Sequence, residues 1–150
     1  MSVPQQPGPE QRSTAATAPP VVVDASVAVD LLAGTELRPA ALARLRGTTL
    51  HAPAHFFAEV LSALGRLNRA NLLDDDQVAA ALRQLATMPV TEHPVPSLLA
   101  GAWQRRGRLR LLDALYIELA EQLDTLVITT DRRLARAASR RAQAIPTQQG

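Results

Sequence analysis

Four carboxylates of this chain stand in surroundings that ordinarily exclude charge. Asp24 follows Val21-Val22-Val23, and Glu59 lies in Phe56-Phe57-Ala58-Glu59-Val60-Leu61. Asp113 lies in Leu111-Leu112-Asp113-Ala114-Leu115-Tyr116, and Asp131 closes Leu126-Val127-Ile128-Thr129-Thr130-Asp131. A carboxylate drawn into an apolar setting gives up hydration that a cation or a hydrogen-bond donor must replace. One such residue is usually a cap or a buried partner, whereas four in one short chain point to a shared cation. Ligand chemistry narrows the choice. There is no Cys, and His51, His55 and His93 form no zinc spacing such as HExxH. His51 and His55 are four apart, but Pro53 between them argues against one continuous helix. Oxygen ligands alone suit Mg²⁺ or Mn²⁺, which keep several waters and bind substrate phosphates. Carboxylates holding one or two such ions are the usual apparatus of phosphodiester hydrolysis.

The elements that position these residues alternate between strand and helix. Val21–Val23 is a β-branched run suited to a strand buried on both faces. A helix is expected from Ser26 to Leu32, ended by Gly34, and a second from Pro39 to about Arg46, closed by Gly47. Thr48–His51 reads as a short strand. Pro53 is expected to open a longer helix to about Arg69, with an apolar stripe at Phe56, Phe57, Val60, Leu61, Leu64 and Leu67. The run Asp74-Asp75-Asp76 reads as the capped start of a helix over Gln77–Ala86, not as a metal site, because acids are favoured at helix N-termini. Met88–His93 is a further strand, Pro96–Arg106 and Leu111–Leu123 are helices, and Leu126–Thr129 is a clear strand. A last helix over Arg132–Ala138 and an edge strand at Ala144–Ile145 complete the chain. The alternation predicts an α/β fold, a three-layer α/β/α sandwich around a short, mostly parallel sheet. In such sheets ligands sit beyond the carboxyl ends of the strands, which is where Asp24 and Asp131 fall.

Composition sets the outer limits. With 150 residues and an apolar fraction of 47%, the chain has the size and make-up of one domain with a single core. Residues 1–20, rich in Pro, Gln, Ala and Ser, read as a disordered extension, leaving 21–150 as the domain. No signal-peptide pattern and no membrane-length apolar run is present, so a cytoplasmic protein without membrane association is expected. All 16 basic residues are Arg and the net charge is only +2. The pI of about 10.3 follows from the lack of groups titrating between His and Arg, and is no proof of nucleic-acid binding. Clustering is more informative. Arg108 and Arg110, and Arg132 and Arg133, fall in two basic groups and are the candidates for contact with nucleic acid, although charge runs are commonly solvated faces.

On these four motifs the sequence resembles the PIN-domain nucleases, and among them the VapC-type toxins of bacterial toxin–antitoxin pairs. The first motif is Val23-Asp24-Ala25-Ser26-Val27, and the second surrounds Glu59 from His51 to Leu64. The third is Leu112-Asp113-Ala114-Leu115-Tyr116, and the fourth Ile128-Thr129-Thr130-Asp131-Arg132. The likeness covers residues 21 to about 147. The resemblance implies that Asp24, Glu59, Asp113 and Asp131 form an acidic metal-binding set, with the hydroxyls of Ser26 and Thr129 lining it. It implies endonucleolytic cleavage of RNA with Mg²⁺ or Mn²⁺, a cognate antitoxin that blocks the site, and a homodimer.

Other residues carry less. Asp30 could face the site or solvent, with solvent the favoured reading, and Glu118, five residues after Asp113, is expected to be a surface charge. Tyr116 and Trp103 are expected to pack between elements rather than to act on substrate. Two competing readings stand beside the nuclease. A haloacid-dehalogenase-like phosphatase also places Asp after its first strand, but wants a second Asp where this chain has Ser26. A catalytically silent module of the same fold, kept for binding RNA or a partner protein, remains the alternative.

Overall fold

The computed structural model describes residues 17–147. The expected disordered extension therefore lies outside the described residues except for its end, where Pro20 already opens the first strand. β1 (Pro20–Val23) has Val22 wholly buried and its neighbours nearly so. That is what a β-branched run in the middle of a sheet requires, since both of its faces are covered. β2 (Thr49–Pro53) and β3 (Val90–His93) extend the sheet on one side, and β4 (Val127–Thr129) and β5 (Ala142–Ala144) on the other. The order is β3-β2-β1-β4-β5, and every pairing is parallel.

Seven helices fill the connections: α1 (Ala25–Ala33), α2 (Arg38–Leu45), α3 (Phe56–Arg69), α4 (Asp75–Ala86), α5 (Leu99–Gln104), α6 (Leu111–Gln122) and α7 (Arg132–Ala137). α1 packs with α2, α3 and α4, and α5 packs with α6, which also lies on β1, β2 and β4. The three-layer α/β sandwich anticipated from the alternation is the observed fold, with a sheet that is parallel throughout.

Local chemistry explains most boundaries. Gly34 and Gly47 take left-handed backbone, φ 69° and 72°, where a side chain would be strained, and so end α1 and the turn after α2. Asp74 accepts from the Gln77 N–H while the Gln77 side chain accepts from the Asp74 N–H, a reciprocal cap that explains the acidic run. Several boundaries differ from expectation; the edge strand expected at Ala144–Ile145, for one, is Ala142–Ala144. Pro53 ends β2 rather than opening α3, which begins at Phe56 with His55 before it. β1 pairs with β2 only as far as His51, and Ala54 N–H continues the bonding to β3, so the missing N–H of Pro53 breaks no ladder bond. The helix expected over Pro96–Arg106 divides into a 3₁₀ turn at Val95–Leu98 and the short α5.

α5 and α6 approach closely at Gly101. A methyl group there would fall 2.1 Å from the Glu118 carboxyl carbon. Glu118 is not the free surface charge expected from its spacing. Arg105 donates to it at 2.5 Å and Gln122 at 3.0 Å, so it ties the two helices together.

Candidate active site

The topology places one crevice at the carboxyl edge of the sheet. From β1 the chain runs to β2 on one side, whereas β4 returns on the other, so the strand order reverses between β1 and β4. Loops diverge at such a point and leave room for a ligand. Asp24 directly follows β1, and Thr129 to Asp131 follow β4. A cleft of about 360 Å³ opens there, lined by Asp24, Ser26, Asp30, Glu59, Asp113 and Asp131 among others. The four carboxylates singled out in the sequence come from the ends of two strands and from two helices, α3 and α6. Folding alone brings them together.

Asp24 is the deepest of them, 7% exposed. Ser26 and Thr129 donate their hydroxyls to its Oδ2 at 2.6 and 2.7 Å. Burial raises its pKa, the two hydroxyls oppose that rise, and the charges of Asp113 and Glu59 add to it. The hydroxyls are themselves held. Ser26 Oγ accepts from the Thr130 N–H at 3.0 Å, and Thr129 Oγ1 accepts from the Asp131 N–H at 2.9 Å. Both of these residues therefore orient Asp24 and knit the β4–α7 turn to the start of α1.

Asp131 caps α7. Its Oδ1 accepts from the N–H groups of Arg133 and Leu134 at 2.8 and 3.2 Å. Burial tends to raise its pKa, but these N–H groups and the Arg133 guanidinium prevail and hold it below the ordinary carboxylate value. The same guanidinium reaches Asp113 Oδ2 at 2.9 Å and Asp131 Oδ2 at 3.0 Å.

Glu59 sits on the first turn of α3. Tyr116, fully buried on α6, donates its hydroxyl to Glu59 Oε1 at 3.0 Å. Burial and the nearby carboxylates push the phenol pKa far above its ordinary value, so the proton stays on the tyrosine. Tyr116 thus packs as expected and also fixes a carboxylate, a role its apolar surroundings hid. His55 was likewise missed. Its Nε2 lies 2.7 Å from Glu59 Oε1, in poor alignment for a hydrogen bond, and both ring nitrogens are buried without a hydrogen-bond partner. The four-residue spacing of His55 and Glu59 was the available signal.

Other expectations need correction. Asp30 lines the cleft and accepts from Thr35 Oγ1 at 2.6 Å, so it does not simply face solvent. Trp103 does not pack between helices. It is 55% exposed, with the Arg106 guanidinium 4.6 Å from its ring centre. Among the four arginines, Arg110 and Arg133 line the cleft. Arg108 lines a separate cavity of about 250 Å³ with Arg105, Arg140 and Arg141, and Arg132 turns to Thr147. Arg66, seven residues beyond Glu59 on α3, lines the cleft and was missed.

The donor set is all oxygen and suits a hard divalent cation in its chemistry. In its present arrangement, no group of three or more His, Asp or Glu among the described residues converges tightly enough to hold an ion. Arg133 draws Asp113 and Asp131 to itself, while Glu59 is engaged by Tyr116.

A parallel α/β sandwich with an acidic cleft at its reversal point belongs to a recognisable class. The PIN domain family model matches residues 21–140, and the chain belongs to the PIN-domain family, in its VapC-type branch. It is 61% identical over 124 residues to Ribonuclease VapC3 of Mycobacterium tuberculosis, covering 81% of this chain and 90% of the relative. It is 36% identical over 123 residues to Ribonuclease VapC12 of the same organism, covering 82% and 95%. Among solved structures it is similar to PAE2754 of Pyrobaculum aerophilum, with a TM-score of 0.59, 26% identity and 85% of each chain covered. VapC20 of M. tuberculosis, a sarcin-ricin loop cleaving toxin, has a TM-score of 0.59 at 20% identity, covering 78% of this chain and 94% of that one; this likeness shows the fold alone.

Proposed function

We propose that this chain is a Mg²⁺- or Mn²⁺-dependent endoribonuclease and the toxin of a toxin–antitoxin pair. The observation that carries the reading is the gathering of Asp24, Glu59, Asp113 and Asp131 from four separate elements into one cleft at the sheet's reversal point. The kinship with proteins named as VapC ribonucleases supports RNA as the substrate. It also supports a cognate antitoxin as partner. A homodimer and a cytoplasmic location belong to the same reading. No helix among the described residues is long and apolar enough to cross a membrane.

Asp24, Glu59, Asp113 and Asp131 would hold the metal, which when bound supplies an activated water and neutralises charge on the phosphate. The chain's own contributions follow from its geometry. Ser26 and Thr129 hold one oxygen of Asp24 so that the carboxylate cannot rotate away. The N-terminal N–H groups of α7 hold one oxygen of Asp131, and the other accepts from Arg133. Tyr116 fixes Glu59 from the core side. Arg66, Arg110 and Arg133 line the same cleft and supply guanidinium groups for the substrate's phosphates. A silent RNA- or protein-binding module is favoured by one observation, the lack of three converging ligands among the described residues.

Purified chain incubated with RNA and Mg²⁺ or Mn²⁺, then with chelator, beside Asp24→Asn, separates the two. Cleavage that needs both the metal and Asp24 is expected. Folded protein that cuts no RNA under either metal, or an Asp24→Asn variant as active as the parent, removes the proposed site.

A further inference from the structure

Arg133 is the second residue of α7, and a single nitrogen of its side chain, Nη2, bonds to carboxylates on two elements. It donates to Asp113 Oδ2 on α6 at 2.9 Å and to Asp131 Oδ2 at the head of α7 at 3.0 Å. Both acids are assigned to the metal in the function proposed above. A lone pair engaged by an N–H cannot at the same time bind a divalent ion at about 2.1 Å. The guanidinium therefore stands where a shared cation would stand, and it supplies the charge that lets two acids face one cleft.

We propose that Arg133 is a tethered counter-cation that competes with the divalent ion for Asp113 and Asp131. Loading the site requires its guanidinium to swing away, and it is then free to take a phosphate oxygen of the substrate. The side chain is 44% exposed, so it can leave without disturbing the core. Its planar fork matches a phosphate as well as it matches a carboxylate. The other two arginines of the cleft do not play this part. Arg66 donates to Ser62 at 3.0 Å, and among the described residues Arg110 forms no ion pair. The inference rests on the metal reading, and it makes Arg133 a regulator of occupancy rather than a ligand.

Calorimetric titration of Mn²⁺ into the wild type, Arg133→Gln, Arg133→Lys and Asp24→Asn, without RNA, tests it. Arg133→Gln is expected to bind Mn²⁺ roughly two- to fivefold tighter, the scale set by a partly exposed ion pair. Arg133→Lys should fall between it and the wild type, because an ammonium cannot reproduce the guanidinium's geometry, and it carries the test should Arg133→Gln fail to fold. In chelator, Arg133→Gln should melt below the wild type, and saturating Mn²⁺ should close that gap. Mn²⁺ binding lost in Asp24→Asn but equal or weaker in the Arg133 variants overturns this inference and leaves the metal reading standing. No binding by wild type or any variant overturns both.

Discussion

Asp24 keeps its carboxylate in the interior between Ser26 and Thr129, where burial raises its pKa. A charged carboxylate there opposes folding at neutral pH, because the unfolded chain would solvate it. Asp24→Asn retains an oxygen to accept both hydroxyls and removes the charge. It is expected to abolish cleavage and to raise stability toward urea in chelator at pH 7. A loss of stability would show that the hydroxyl bonds outweigh the burial. Asp131 is arranged differently, since its carboxylate caps α7. Asp131→Ala should cost about 1 kcal/mol through the lost cap, whereas Asp131→Asn keeps the capping oxygen, gives up only the smaller stabilisation that the lowered pKa reflects, and should lose activity. Chemical denaturation beside an RNA-cleavage assay separates the two. Equal stability losses in both variants would mean that the charge, not the cap, holds α7.

At the scale of elements, the cleft depends on which strands lie side by side, and the β2–β3 pair carries a titrating contact. His51 Nδ1 and His93 Nε2 lie 3.0 Å apart across the two strands, and Thr49 Oγ1 lies 3.2 Å from the other nitrogen of His51. Burial lowers the pKa of His51, and His93 lowers it further. The unfolded chain therefore takes up this proton before the folded one as pH falls. The stability contributed is whole above the ordinary histidine value of about 6.5 and is lost as pH falls through the lower folded value. Melting temperatures measured from pH 7.5 to 5 should fall more steeply in the wild type than in His51→Gln. Parallel curves would mean that the pair is not coupled to folding. On the other flank, the contact of Gly101 with Glu118 and the Arg105–Glu118 pair set the spacing of α5 and α6. Between these helices, Arg110 lines the cleft while Arg108 lines the separate cavity.

At the scale of the whole molecule, a net charge of +2 from 16 arginines and 14 acids makes no strongly basic surface. RNA binding must therefore come from where the arginines lie rather than how many there are. Arg110→Ala in an Asp24→Asn background should weaken RNA binding. It should also make the dependence of log Kd on log salt shallower by about 0.7, the share of one phosphate contact on a single strand. Arg108→Ala, which alters the separate cavity, should leave that slope unchanged. Filter binding across a salt series reads both, and a change with Arg108→Ala alone would move the RNA path off the cleft.

Much of the plan was legible in the sequence because strands, caps and turns are local. The β-branched run before Asp24, the glycines at positions 34 and 47, and the capping run at Asp74 each specify their own backbone within a few residues. The four carboxylates were legible for the same reason, since each is out of place among its immediate neighbours. What surrounds them was not. Tyr116 meeting Glu59, Arg133 bridging α6 and α7, and Asp30 reaching the cleft are contacts between residues distant in sequence or directions taken on a helix. Local pattern carries no information about a partner on another element. By itself the sequence determined the alternating α/β elements and the identity of the acids. Only the tertiary structure decided which groups hold each acid in place, because the parallel sheet order, with β1 between β2 and β4, sets which helix ends and loops meet at its edge.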